Sequence, residues 1–398
     1  MGLNFLVFGN HPRLALAEFL AFEPKADILA NPNKACVVNS TAWRDKTLMG
    51  QLGGTVKLGE VIRESDKSGV EPDEIAKMMV DGHPAGSLEF GWTVFGGDNK
   101  QKKYFEKFPI KIKKTLKEMG WKVRWVTGQG GEPLSPAAVA KCHLTEKPNA
   151  DLCLIIEKEK IYLGRTTQVQ NADAWSLRDY GRPYRDDANG MLPPKLARIM
   201  VNLARVPKGA TVLDPFCGSG TVLMEAALAT AAGKIIGSDI DAKQIKDTQG
   251  NLEWLAKEKV INSDDKVRFQ VFTADVKQIG KHLSAGSIDA IITEGWLGPA
   301  LRGRETAQEI KKNAEQISQL WSDALKALRP ILKDNARIVA VFPSFKLGSQ
   351  IIRTDDKLNF ESLGYQLEEL PANIRMEDLY YERTGQHLRR NIRLLRAG

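Results

Sequence analysis

The second half of the chain has a regular alternation of apolar and polar positions. Short apolar runs at 211–213, 234–238, 267–272, 288–293 and 336–342 read as strands. Between them, apolar residues three and four apart predict helices starting at Gly220 and spanning 242–255 and 307–328. Pro193-Pro194 opens a further helix with Leu196, Ile199, Met200 and Leu203 on one face. Strands that alternate with helices build βαβ units and a mostly parallel sheet. Shorter runs at 365–370, 378–383 and 391–395 predict an antiparallel close to that sheet.

The first half is less regular. Strands are expected at 4–8, 35–38, 55–58 and 91–96, with a helix after His11-Pro12 and a short one over 46–52. These make an α+β module over 1–95. A second small module over 96–165 begins with a helix whose Phe108, Ile112, Leu116 and Met119 are expected to point inward. Strands at 122–126, 151–157 and 160–164 and a helix over 135–142 follow. Residues 166–189 show little periodicity and read as a linker, leaving 190–398 as the largest domain.

Composition narrows the class. A chain of 398 residues, 42% apolar and 27% charged, suits two or three globular domains. No apolar run approaches the ~18 residues that span a bilayer, and the N-terminus reads as a strand rather than a leader, which predicts a cytoplasmic protein with no membrane partner. Four cysteines without a Cys-x-x-Cys pair, and scattered histidines, predict neither a metal centre nor a disulfide framework.

Net charge is +8, and ten Lys/Arg against two Glu between Lys100 and Arg124 account for all of it. A basic stripe with Tyr104, Phe105, Trp121 and Trp125 beside it is the footprint of a nucleic-acid binder, though a solvated helix face has the same pattern. Lys102, Lys103, Lys107, Lys111, Lys113 and Lys114 are the candidate phosphate contacts, with Arg182 of the linker.

The chemistry gathers at strand ends. Asp214-Pro215-Phe216-Cys217-Gly218-Ser219-Gly220-Thr221 joins the 211–213 strand to a helix. It lacks the Lys-Ser/Thr of a mononucleotide loop, and Leu223 stands where a dinucleotide fingerprint has its third glycine. S-adenosylmethionine (SAM) remains, because its methionine end needs the close backbone approach that Gly218 and Gly220 permit. Asp214 is placed to meet the cofactor's ammonium or to order a water beside it, and Phe216 and Thr221 flank the turn. Asp239, 19 residues after Gly220, ends the next strand where an acid binds ribose hydroxyls. Ile240 is placed to cover an adenine face, and Asp275 after the third strand to meet the adenine amine. Each acid alone also fits a helix cap or a loop charge. Cys217 reads as a small packing residue.

Glu294-Gly295-Trp296-Leu297 follows the fourth strand. An exocyclic base amine is a poor nucleophile because its lone pair is delocalised into the ring. Oxygens that accept its N–H hydrogens let the nitrogen pyramidalise, and an aromatic ring stacks on the base. Glu294 and Trp296 supply both groups. Methylation at cytosine C5 needs a thiol nucleophile near or after this strand, and no cysteine follows Cys217.

At these residues the chain resembles a family. The Asp214–Thr221 motif is similar to the first motif of THUMP-domain RNA guanine-N2 methyltransferases, especially the archaeal and eukaryotic type acting on guanosine 10 of tRNA. Arg178-Asp-Tyr-Gly-Arg-Pro, Gly190-Met-Leu-Pro-Pro-Lys-Leu-Ala, Gly9-Asn-His-Pro-Arg-Leu-Ala-Leu-Ala-Glu and Leu52-Gly-Gly-Thr-Val-Lys-Leu-Gly-Glu extend the likeness over most of the chain. The resemblance implies a Rossmann-like class I SAM methyltransferase domain behind an α+β THUMP-like RNA-binding region. It also implies Met191 and Pro193 beside the cofactor, tRNA as substrate and a small activator protein as a partner. This chain departs from the family's Asp-Pro-Pro-Tyr reaction motif. In one register Glu294 takes the acid's place; in another Thr293 does, with Trp296 in place of the tyrosine. Methylation of rRNA or of adenine or cytosine amines, and a SAM-retaining RNA-binding scaffold without catalysis, stand as the other readings.

Overall fold

The computed structural model describes residues 2–398 except 41–46, 67–68, 129, 131, 186–190, 259–267, 302, 349, 372–373 and 384. The expected helix start at Lys46, strand start at Val267, the last linker residues 186–189 and Gly190 lie outside the described residues. The chain divides into two compact units, Met1–Leu16 with Glu23–Ala174, and Ala17–Phe22 with Trp175–Gly398.

The first unit is built on one sheet of eight strands, β1 (Asn4–Phe8), β2 (Asp27–Ala30), β3 (Ala35–Asn39), β4 (Thr55–Asp66), β5 (Ser87–Gly96), β6 (Lys122–Val126), β7 (Ala150–Glu157) and β8 (Lys160–Val169). They lie in the order β2-β3-β1-β4-β8-β7-β5-β6. Residue 95, expected as a module boundary, falls inside β5, and the sheet takes strands from both sides of it. The long antiparallel pairing of β4 with β8 ties the two stretches into one layer. Of the expected linker, 166–169 belong to β8. In chain order the helices are α1 (Pro12–Phe22), whose part from Ala17 is assigned to the second unit, α2 (Leu48–Gln51), α3 (Pro72–Val80), α4 (Asn99–Phe105), α5 (Phe108–Glu118) and α6 (Pro136–Lys141). Phe108, Ile112 and Leu116 of α5 are buried against β5 and β7, as their spacing predicts. Met119 is a correction: it follows the end of the helix and is exposed, because the chain turns there through Gly120 at φ +87°.

Helix α7 (Ala172–Tyr180) lies inside the stretch expected as linker, and the second unit takes it from Trp175 onward. Then come α8 (Pro194–Leu203), β9 (Thr211–Asp214), α9 (Thr221–Ala229), β10 (Lys234–Asp239), α10 (Ala242–Lys257), β11 (Phe269–Thr273), β12 (Ile288–Glu294) and α11 (Ala307–Leu328). The closing strands are β13 (Leu332–Leu347), β14 (Gln350–Arg353), β15 (Tyr365–Leu367), β16 (Tyr380–Glu382) and β17 (Leu388–Ala397). The order is β11-β10-β9-β12-β13-β17-β15. Strands β9 to β13 are parallel and β17 enters antiparallel, the close expected from the sequence. This is the Rossmann-like class I methyltransferase architecture.

Local chemistry fixes the ends of the helices. Thr306 and Glu309 form a reciprocal capping box at the start of α11. Asp241 caps α10 through the Lys243 N–H, and Pro194 takes the first turn of α8. Ile310, Ala314, Ile317, Trp321, Ala324 and Leu328 make one buried stripe of α11, packed on Ile338, Ala340 and Phe342 of β13. Each of the large side chains contributes about 1.5–3 kcal/mol by leaving water. Strand order reverses at β9, whose neighbours are β10 and β12. The crevice outside the carboxyl ends of these three strands is where ligands bind in such sheets.

Among the described residues, no helix is long and apolar enough to cross a membrane.

Candidate active site

A cavity of about 510 Å³ opens at that reversal. The turn after β9 forms its floor. Gly218 and Gly220 hold φ of +50° and +84°, which β-carbons disfavour. At Gly220 a β-carbon would also meet the Thr248 methyl at 2.9 Å, whereas at Gly218 nothing lies nearer than 3.9 Å, so its open side faces the cavity. Two side chains of α10 hold the turn from behind. Thr248 Oγ1 donates to the Gly218 carbonyl at 2.6 Å and Asn251 Nδ2 to the Ser219 carbonyl at 2.8 Å. Asp214, Phe216 and Thr221 line the cavity with Gly218, while Gly220 is not among the lining residues. Its role is to let the turn run into α9.

The strand-end acids come together as expected. Asp239 lines the cavity, with Oδ2 accepting from the Gly218 N–H and Oδ1 from the Asp241 N–H, both at 3.0 Å. Burial raises its pKa and those bonds oppose the rise. Each oxygen keeps a second lone pair for a hydroxyl. Ile240 stands 71% exposed on the rim. Asp275 also lines the cavity, but its Oδ1 caps the following 3₁₀ turn through the Lys277 N–H at 2.9 Å. Met191 is a lining residue; Pro193 is not, and forms the N-cap of α8. Cys217 is buried as a packing residue.

At the end of β12 the two registers separate. Thr293 is fully buried and donates its hydroxyl to Asp214 Oδ1 at 2.6 Å. Glu294 lines the cavity instead. Arg390 of β17 donates through Nε to Glu294 Oε1 at 2.6 Å, with the two side chains 5% and 12% exposed. Burial raises the Glu294 carboxyl and Arg390 lowers it, with burial the larger effect. Trp296 presents a ring 45% exposed at the cavity mouth. Gly295 rests on Trp321, where a β-carbon would lie 2.7 Å from the indole. Proline cannot stand there without moving that ring.

Arg182 is a correction. It is buried, donating from Nη1 to Thr221 Oγ1 at 2.7 Å and from Nη2 to the Met191 sulfur, so it braces the start of α9 and does not face RNA. The basic stripe keeps its lysines outside: Lys102, Lys103, Lys107, Lys111 and Lys114 are exposed and Lys113 is half-buried. Of its aromatics, Phe105 and Trp121 belong to the core, and Tyr104 is exposed. Phe105 and Trp121, expected to serve nucleic acid, instead fill the space between the helix pair and the sheet.

Arg390, Trp321 and a buried triad are not expected from the sequence. Glu225 of α9 accepts from Arg178 at 2.7 Å and from Arg198 at 2.7 Å, and all three are nearly inaccessible. The available signal was arginine at apolar positions of regular elements, since a buried guanidinium requires an acid.

Comparison with known proteins agrees with this geometry. Residues 182–363 match a family model described as an RMKL-like methyltransferase domain, and 92–250 match one described as a DNA methylase. A tRNA (guanine(10)-N2)-dimethyltransferase of Methanocaldococcus jannaschii is 35% identical over 210 residues, 51% of this chain and 52% of that protein. The match thus spans about half of that relative's length. A probable tRNA (guanine(10)-N2)-dimethyltransferase of Methanothermococcus thermolithotrophicus is 35% identical over 123 residues, 31% of this chain and 72% of that sequence. A U6 snRNA (guanine-N2)-methyltransferase of Homo sapiens is 30% identical over 31% of this chain and 22% of its own. In fold, TrmN from Thermus thermophilus superposes over 100% of this chain and 99% of its own with a TM-score of 0.55 at 17% identity. With the glycine turn, the strand-end acids and these relatives in agreement, the chain belongs to the THUMP-class RNA guanine-N2 methyltransferases.

Proposed function

We propose that the chain is an enzyme that methylates the exocyclic N2 of a guanine in tRNA, in the D-arm region, with SAM as methyl donor. The observation that carries this reading is the position of Glu294. It is a carboxylate at the end of β12, facing the cavity of the glycine turn and paired with Arg390.

The residues present fit SAM. The open side of Gly218 gives a backbone edge for the methionine end, Asp214 an acid for its ammonium, Asp239 lone pairs for the ribose and Ile240 an apolar cover for the adenine. A volume near 510 Å³ lies within the range of small-molecule sites, about 300–1,000 Å³. When bound, SAM supplies an electrophilic methyl group. The other tasks belong to the chain. Trp296 offers a stacking face for a base taken out of its helix. Glu294 accepts an N–H of the base amine, which directs the nitrogen lone pair away from the ring and toward the methyl donor. Arg390 opposes the rise that burial imposes on Glu294 and so favours its charged, accepting form. In this reading the first unit is the THUMP-like RNA-binding module, and its exposed lysines on α4 and α5 meet phosphates.

The test incubates the full chain, alone and with the small activator proteins of related enzymes, with labelled SAM and unmodified tRNA or rRNA. Mass spectrometry then identifies the nucleoside. N2-methylguanosine in tRNA is expected. Label in rRNA, or on an adenine or cytosine amine, would replace this substrate, and SAM binding without transfer to any RNA would leave a binding scaffold. Glu294→Ala should lower transfer at least about 100-fold, the scale of one lost transition-state acceptor, while SAM affinity stays unchanged.

A further inference from the structure

The closing strands place a second set of aromatic and basic groups beside the reaction acid. β16 pairs antiparallel with β17, with Tyr381 directly opposite Arg390. Directly opposite residues of an antiparallel pair project from the same face. Arg390 reaches Glu294 on that face, so Tyr381 shares it. Tyr380 and Glu382 project from the other face, where they are engaged. The Arg389 guanidinium lies 3.9 Å from the centre of the Tyr380 ring, and Glu382 binds Arg389 at 3.0 Å and Lys346 at 2.7 Å.

On the Glu294 side, the Arg383 Nε donates to the Tyr381 hydroxyl at 3.2 Å. That bond is the first cause of the rise in the Arg383 pKa, and Asp179 and Tyr180 at the end of α7 add to it from nearby. Tyr180 is 65% exposed, with the Arg185 guanidinium 5.1 Å from its ring centre. Tyr180 is thus a large ring kept out of the core, with the guanidinium groups of Arg185 and Arg383 beside it. Rings supply stacking faces for bases and guanidinium groups supply donors for phosphates, the combination that grips a single nucleic-acid strand.

We propose that Tyr180, Tyr381 and Arg383 form a platform for the RNA strand that flanks the base held at Glu294. The inference rests on the RNA methyltransferase reading and deepens it. The basic helices of the first unit are charge without exposed rings apart from Tyr104, whereas this platform combines both beside the chemistry. It holds the nucleotides next to the target once that base has left its stack.

The test uses the full chain with an unmodified tRNA transcript and a short end-labelled single-stranded RNA. Tyr180→Ala and Arg383→Ala should each weaken RNA binding on the order of ten-fold, as expected for one stacking ring or one strong contact. Arg383→Ala should also flatten the salt dependence of binding by about one phosphate. SAM affinity, read by calorimetry on the same samples, should not move, which separates a lost RNA contact from a damaged fold. Tyr180→Phe, which keeps the ring, should restore most of the affinity. If the wild type methylates the transcript and both alanine variants bind and react as the wild type does, the platform is overturned and the functional reading stands. If the wild type neither binds nor methylates either RNA, both fall together.

Discussion

Asp214 shows how one buried residue sets a pH dependence. Burial lifts its carboxyl from the ordinary 3.8 to about 7, against the opposing bonds from Thr293 and Phe216. A folded pKa above the unfolded one means that the native state holds the extra proton. The resulting stability is complete below about pH 4 and is lost as pH rises through 7. A rise from 3.8 to about 7 corresponds to no more than about 4 kcal/mol. Denaturant unfolding of the ligand-free protein should therefore show stability falling between pH 4 and 8, and Asp214→Asn should remove most of the slope. An equal slope in both proteins would assign it to other groups. In SAM binding the sign reverses, because an ammonium favours the charged carboxylate, so affinity should rise as pH climbs toward 7 in the wild type and stay flat in the variant. Glu294 has the complementary arrangement. Arg390 opposes the rise that burial imposes on it. Arg390→Gln should move the acid limb of kcat/KM to higher pH without a matching loss of SAM affinity. A lower rate with an unshifted profile would make Arg390 a packing residue.

Helix α9 starts at the glycine turn, and its Glu225 is tied to Arg178 of α7 and Arg198 of α8. Glu225 is 1% exposed between Arg178 and Arg198, and Arg178 lies 4.1 Å from the centre of the Trp175 ring. Truncating the shared acid leaves two buried guanidinium groups without it. Glu225→Ala should cost about 3–5 kcal/mol, visible as a fall in Tm on the order of 10 °C. A change below 1 kcal/mol would mean that water already reaches the arginines. At this scale the fold is legible in the sequence wherever period alone decides. The βαβ rhythm located the strands, and strand ends located Asp214, Asp239, Asp275 and Glu294, because ligands gather at the carboxyl ends of parallel strands. What escaped depends on the register of distant elements. Arg390 meets Glu294 across 96 residues only because β17 enters antiparallel beside β13. Gly295 stands where the family's motif has proline, and Trp321 of α11 occupies the space a side chain would need. Arg182 read as a linker cation, but it lies folded against Thr221.

Across the whole molecule the net charge of +8 is concentrated in one short stretch, and the structure separates that charge from the rings that accompany it in sequence. Phe105, Phe108 and Trp121 are buried under α4 and α5, while Lys107, Lys111 and Lys114 stand exposed above them. Such a surface recognises phosphates and backbone shape, with little to read a base. Its contribution to binding must therefore be electrostatic, uniform across RNA sequences and sensitive to salt. Each phosphate contact adds about 0.7–0.9 to the slope of log K against log salt. Changing Lys107, Lys111 and Lys114 together to alanine should flatten that slope by about 2 to 3. It should also weaken the binding of any tRNA to a similar extent, whatever its sequence. SAM affinity and the rate at saturating RNA should hold, because the cavity is lined by residues of the second unit. An unchanged slope would make the stripe a solvated helix face that keeps the protein apart from its neighbours, and RNA binding would then have to come from the second unit, where we place the platform of Tyr180, Tyr381 and Arg383.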